Sequence, residues 1–214
     1  PVYTLALLAL VFASYIRPAA RRAFAVAGLA VMLGWPALCL GVRAFVAHRA
    51  EALFAAQGQK VDALHVQPDA FAPLWWKVIA EEGDAYVLTG LDLAAPHTLL
   101  PERRFRKAGR EELEALGRTA PVFSQYLWFT DFPVVASRTT PEGTTLTFQD
   151  LRFMAVNPVV AKVRGDMVPF TLTAYLDPAG KLVRALFSQV GKAEVILPRP
   201  LDSGPGVAQA GGRG

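Results

Sequence analysis

Cysteine is nearly missing from this sequence: Cys39 stands alone in 214 residues. That excludes a disulfide framework and any zinc site built on cysteines. Charge is also scarce, at 19% of residues against 53% hydrophobic, where an ordinary soluble domain carries roughly a quarter charged. Acidic side chains are absent from residues 1–47, which hold only Arg17, Arg21, Arg22 and Arg43. Residues 48–214 hold 18 basic and 18 acidic groups, so the net +4 belongs to the apolar N-terminal segment. A nucleic-acid surface needs basic charge concentrated on a folded face, and a remainder that sums to zero argues against one.

The long uncharged runs explain the imbalance. Residues 23–42 (AFAVAGLAVMLGWPALCLGV) contain no charge; as a helix they span about 30 Å, the thickness of a bilayer's hydrocarbon core. Pro36 is expected to kink this helix, and Gly28, Gly34 and Gly41 offer close-packing surfaces. Residues 2–16 (VYTLALLALVFASYI) form a second run, short for a full span. The chain opens at Pro1 rather than at a methionine, so this helix is expected to continue upstream. A secretory signal peptide fits less well, because its positive charge precedes the apolar run and here it follows. Between the runs lies IRPAARR, a short arginine-rich loop of the kind retained in the cytoplasm. Two transmembrane helices with that loop inside place everything after about His48 outside the cytoplasmic membrane. Residues 48–60 read as a helical stalk ending at Gly58.

The rest reads as a domain of α+β type, residues 61–200, built on an antiparallel sheet. Strands are expected at Val61–Val66, Leu74–Ala80, Ala85–Leu93, Val134–Arg138, Thr144–Phe153, Val168–Leu176 and Lys181–Gln189. Turn chemistry at Glu82-Gly83-Asp84, Pro141-Glu142-Gly143 and Asp177-Pro178-Ala179-Gly180 joins six of them into three hairpins. Phe170, Leu172, Ala174 and Leu176 alternate with Thr171, Thr173 and Tyr175, the pattern of a half-buried strand. Glu111–Leu116 and Pro121–Trp128 read as helices covering the sheet. The glycine-rich tail, residues 201–214, has no periodicity and is expected to be disordered.

Local catalytic signatures are missing: no Gly-x-Ser-x-Gly elbow, glycine-rich phosphate loop or His-Glu-x-x-His pair occurs. His48, His65 and His97 are far apart and read as surface or strand residues. Asp150 and Arg152, two apart on an expected strand, share a face, either as an internal ion pair or as a ligand contact through the forked guanidinium. Arg103, Arg104, Arg106, Lys107 and Arg110 form a basic run, read as a solvated loop or as an attraction for anionic headgroups. Trp75 and Trp76 must face opposite ways, one into the core and the other toward an interface or ligand.

Three stretches carry a resemblance: QPDAFAPLWWKVIAEEGDAYVLTGLDL, LWFTDFPVVAS and TTLTFQDLRFM. With the apolar helices before them, they resemble the C-terminal part of the bacterial membrane-bound metal-dependent hydrolases, the YdjM/YfhP-like inner-membrane proteins. The matching positions are Pro68, Trp75, Tyr86, Trp128, Phe132, Pro133, Asp150, Leu151 and Arg152, and the resemblance spans roughly residues 23–176. It implies a multi-pass protein of the bacterial inner membrane, with further helices upstream in the same chain. It also implies a divalent metal ion held by histidines and carboxylates of the family's N-terminal helices and loops. Those ligand positions have no counterpart here, so no residue of this sequence is assigned to metal or catalysis, and the metal site is expected upstream. The alternative is a non-catalytic module, anchored in the membrane, whose extracytoplasmic domain binds a partner. A transporter is a weaker third reading, because the visible helices carry no intramembrane acid.

Overall fold

The structure is a computed structural model that describes residues 2–69, 72–164, 168–189 and 192–197. The tail expected to be disordered lies outside the described residues. The chain divides into two compact units, Pro1–Gln59 and Lys60–Gly214.

The first unit is helical. α1 (Val2–Ile16) leads through a 3-10 turn at Pro18–Ala20 into α2 (Arg21–Ala56), and α1 lies against α2. Pro18 stands at the first position of the turn, where its missing N–H costs nothing. The expected span and its helical continuation as a stalk form one helix of 36 residues that runs through Pro36. It ends as the glycine predicts: Gly58 adopts φ +71, and the Gln59 amide donates back to the Phe54 carbonyl. Helix Pro18–Ala56 is long and apolar enough to cross a membrane, with a mean hydropathy of 2.0 in its most apolar window and none of that window buried. Leu29, Leu33, Leu38 and Leu40 are all exposed along it. The described part of α1 is shorter.

The second unit is α+β, with two antiparallel sheets where the sequence led to one. The first sheet takes the order β1 (Ala63–Asp69), β2 (Ala72–Glu82), β3 (Ala85–Asp92), β4 (Arg103–Arg106). Helices α3 (Arg110–Thr119) and α4 (Val122–Phe129) follow. The second sheet runs β5 (Pro133–Thr140), β6 (Gly143–Asp150), β7 (Thr171–Leu176), β8 (Leu182–Gln189), β9 (Lys192–Ile196). A 3-10 turn, Leu151–Phe153, and α5 (Pro158–Arg164) lie between β6 and β7. All three expected hairpins form, at the expected turns.

Two expectations are corrected. The basic run is not a loop: Arg103–Arg106 form β4, which pairs with Ala85–Leu88. Its cations have partners, Arg104 on Glu82, Arg106 on Glu112, Lys107 on Glu81, Arg110 on Glu114 and Arg103 on the Ala155 carbonyl. The strand expected through Phe153 stops at Asp150, whose side chain caps the 3-10 turn that follows.

Two hydrophobic clusters hold this unit together. In one, Leu113 of α3 with Phe123 and Tyr126 of α4 cover Leu146, Phe148, Leu172, Ala174 and Ala185 of the second sheet. Leu172 and Ala174 thus fall on the packed face their alternation predicts. In the other, Ile79, Tyr86 and Leu88 of the first sheet meet Val134, Leu151, Met154 and Val156. The helices α3 and α4 approach closely because Gly117 has no side chain; a Cβ there would lie 2.3 Å from the Ser124 hydroxyl oxygen.

Candidate functional site

A chain of buried charges links the first sheet to the segment after β6. Lys77 of β2 is 1% exposed, Asp69 of β1 is 4% exposed and Asp150 is wholly buried. Charges this deep are tolerated only when paired and hydrogen-bonded. The Lys77 ammonium donates to the Arg152 carbonyl at 2.6 Å and lies 3.7 Å from Asp69 Oδ1. Asp69 Oδ2 accepts from the amides of Val156 at 2.9 Å and Asn157 at 2.8 Å, while Oδ1 has no hydrogen-bond partner among the described residues. Burial pushes the Lys77 ammonium down to about 8, against the opposing pull of Asp69.

Asp150 and Arg152 do meet, although not by sharing a strand face. Asp150 Oδ1 accepts the Arg152 amide at 2.9 Å, and Oδ2 accepts Arg152 Nε at 2.8 Å and the Asp131 amide at 3.1 Å. Arg152 also donates to Asp131 Oδ2 at 2.7 Å and to the Phe129 carbonyl. Its guanidinium lies 5.3 Å from the Phe129 ring and 5.4 Å from the Phe153 ring, and those rings are stacked. Both members of the pair are thus held by internal partners.

The other positions carrying the resemblance scatter. Pro68 lies on β1 opposite Trp76, and the register shifts between it and Asp69, which pairs with Ala72. Trp75 is half-buried and Trp76 buried, the division that adjacent strand positions require. Tyr86 and Leu151 share a cluster against which Phe132 packs, and Pro133 pairs with Asp150. Trp128, at the end of α4, is 88% exposed.

Two features escape the sequence. The first joins His65, Glu81 and Lys107: Glu81 bonds His65 Nε2 at 2.9 Å and Lys107 Nζ at 2.7 Å. The Lys107 bond holds the Glu81 carboxyl below the usual range, and Lys107 also stands 4.7 Å above the Tyr86 ring. No local motif signals this cluster, since its members come from β1, β2 and the end of β4. The second is a groove of about 790 Å³ between α4 and the β8–β9 hairpin, walled by Val122, Trp128, Phe129, Phe187 and Ile196. Its polar lining comes from Gln125, Gln189 and Glu194. The ring of Tyr126 also lines it, and burial raises the Tyr126 phenol well above the usual range, so that group stays protonated.

Among the described residues no group of three or more His, Cys, Asp or Glu is placed to hold a metal ion. What the site offers is a rigid internal clamp beside an open apolar groove. Comparison with protein families, with curated proteins and with solved structures found no match to the chain.

Proposed function

We propose that this chain is a membrane-anchored binding protein: α2 spans the bilayer with α1 beside it, and the second unit, outside the cytoplasmic membrane, engages a partner through its groove. The observation that carries this reading is the groove itself, a large apolar concavity with Trp128 almost fully exposed at its rim. Exposed aromatics beside apolar concavities are typical anchors of protein recognition. The internal bonding of Asp150 and Arg152 supports it as well, because a clamp with satisfied partners keeps α4 and the segment after β6 in place.

The test uses the full chain in its native membrane with a photoreactive benzophenone amino acid at position 128. The expected result is a discrete adduct that disappears when Phe187→Arg blocks the groove. An adduct of equal yield in the blocked variant, or none, overturns the reading. Orientation is checked by placing a cysteine at Ala179 and labelling intact cells with an impermeant maleimide. Labelling only after lysis overturns the extracytoplasmic placement.

The resemblance favours a second reading, in which this chain is the C-terminal portion of a metal-dependent hydrolase and supports a divalent-metal site carried by sequence preceding Pro1. Such an ion lowers the pKa of a bound water and polarises the scissile group. The full-length protein, prepared without chelator, then retains divalent metal and hydrolyses ester or phosphoester substrates in a metal-stimulated reaction; failure of both removes this reading.

A further inference from the structure

Resting on the reading of the second unit as a binding module, we infer that the groove and the free edge of β9 form one site for an extended segment of a partner protein. The segment is apolar at alternate positions and basic opposite Glu194. Three observations converge on it.

Among the described residues β9 is the last strand of its sheet and pairs with β8 alone, and Lys192–Val195 are exposed. In an antiparallel ladder every second residue of an edge strand turns its N–H and C=O outward, so β9 presents backbone groups with no strand partner among the described residues, at the spacing an added strand needs. This is the geometry of strand addition, in which main-chain bonds give affinity and pockets for alternate side chains give selectivity.

The pockets are present beside that edge. Phe187 and Glu194 are cross-strand partners and so share a face of the β8–β9 hairpin, with Ile196 two residues on. α4 closes the other side of the groove with Trp128 and Phe129. A strand added about 4.8 Å beyond β9 would direct alternate side chains toward this wall.

Charge then selects the partner. Among the described residues Glu194 is the one charged residue lining the groove and makes no ion pair; it also lines an adjoining cleft of about 340 Å³, which it shares with Lys192. A basic side chain complements it. An acyl chain would fill the apolar walls but leave the Glu194 carboxylate and the edge amides unmatched, so the observations favour a peptide over a lipid.

The experiment places the full chain in phosphatidylcholine nanodiscs and measures fluorescence anisotropy of a labelled octapeptide alternating valine and lysine, against the same peptide with glutamate for lysine. The expected result is saturable binding of the lysine peptide, weakened roughly tenfold by Glu194→Lys. That variant in turn prefers the glutamate peptide, a swap that a misfolded protein would not give. Val195→Pro, which removes an edge amide, abolishes binding of both. No saturation by about 1 mM, a weak-binding limit, or binding indifferent to Glu194→Lys, overturns the inference. If the adduct at position 128 persists while the peptide fails to bind, the binding module stands and its partner is not a basic strand; if that adduct is lipid, the site is an acyl pocket. If neither adduct nor binding occurs, both readings fall.

Discussion

Asp150 has both carboxylate oxygens engaged while wholly buried, so removing it leaves Arg152 Nε and the amides of Arg152 and Asp131 without their acceptor. Breaking a buried pair from one side typically costs about 3 kcal/mol or more. Asp150→Ala is therefore expected to lower the unfolding free energy measured in urea by that amount, and Asp150→Asn, which keeps one acceptor, by less. Lys77 gives the pH dependence. Its ammonium is pushed below its ordinary value, so between about pH 8 and 10 the unfolded chain binds the proton that the folded chain has released. Stability from this group rises with pH across that window, by roughly 2 kcal/mol. Urea midpoints at pH 7.5 and 9.5 check it, and a fall would refute it. Above pH 10 the raised phenols of Tyr86 and Tyr126 act in the opposite sense. Of this network the sequence exposed only the pair two residues apart. Lys77 and the Arg152 carbonyl it binds are 75 positions apart, and no periodicity connects them.

At the scale of elements, Gly143 is the position least able to change. It adopts φ +142 in the β5–β6 turn, and a Cβ there would lie 2.0 Å from the Leu176 carbonyl oxygen of the neighbouring strand. Gly143→Ala is expected to cost about 2 kcal/mol or more through strain and lost β6–β7 pairing, read as a drop in Tm with weakened amide protection at Thr144. Phe170 holds φ +59 without being glycine. Its ring packs on Phe129, Phe153 and Phe187, and those contacts hold a backbone conformation that a bulky residue rarely adopts. The hairpins were readable because Gly and Pro mark tight turns and the strands alternate cleanly. β4 was not, because its RRFR sequence carries a single apolar side chain, so surface charge masks the period of two. β9 was missed for a related reason: an edge strand with exposed side chains needs no apolar stripe. The division into two sheets follows from pairings between distant segments, which local pattern does not encode.

At the scale of the whole molecule, α1 and α2 carry much of the apolar excess read from composition, and Leu5, Leu8, Leu29, Leu33, Leu38 and Leu40 stand exposed along them. On the proposed reading, in which α2 spans a bilayer, the full chain is expected to stay in the membrane pellet after alkaline carbonate extraction, while residues 60–214 expressed alone stay in the supernatant. Release of the full chain would argue against a spanning helix. The second unit has a natural internal reporter of its own opening. Lys60, Lys162, Lys181 and Lys192 are exposed, whereas Lys77 is sealed beneath the Arg152 carbonyl. An amine-reactive reagent modifies the surface lysines at once but reaches Lys77 only when the domain breathes. The time course of that one modification, read by mass spectrometry, clocks how often β2 parts from the turn after β6.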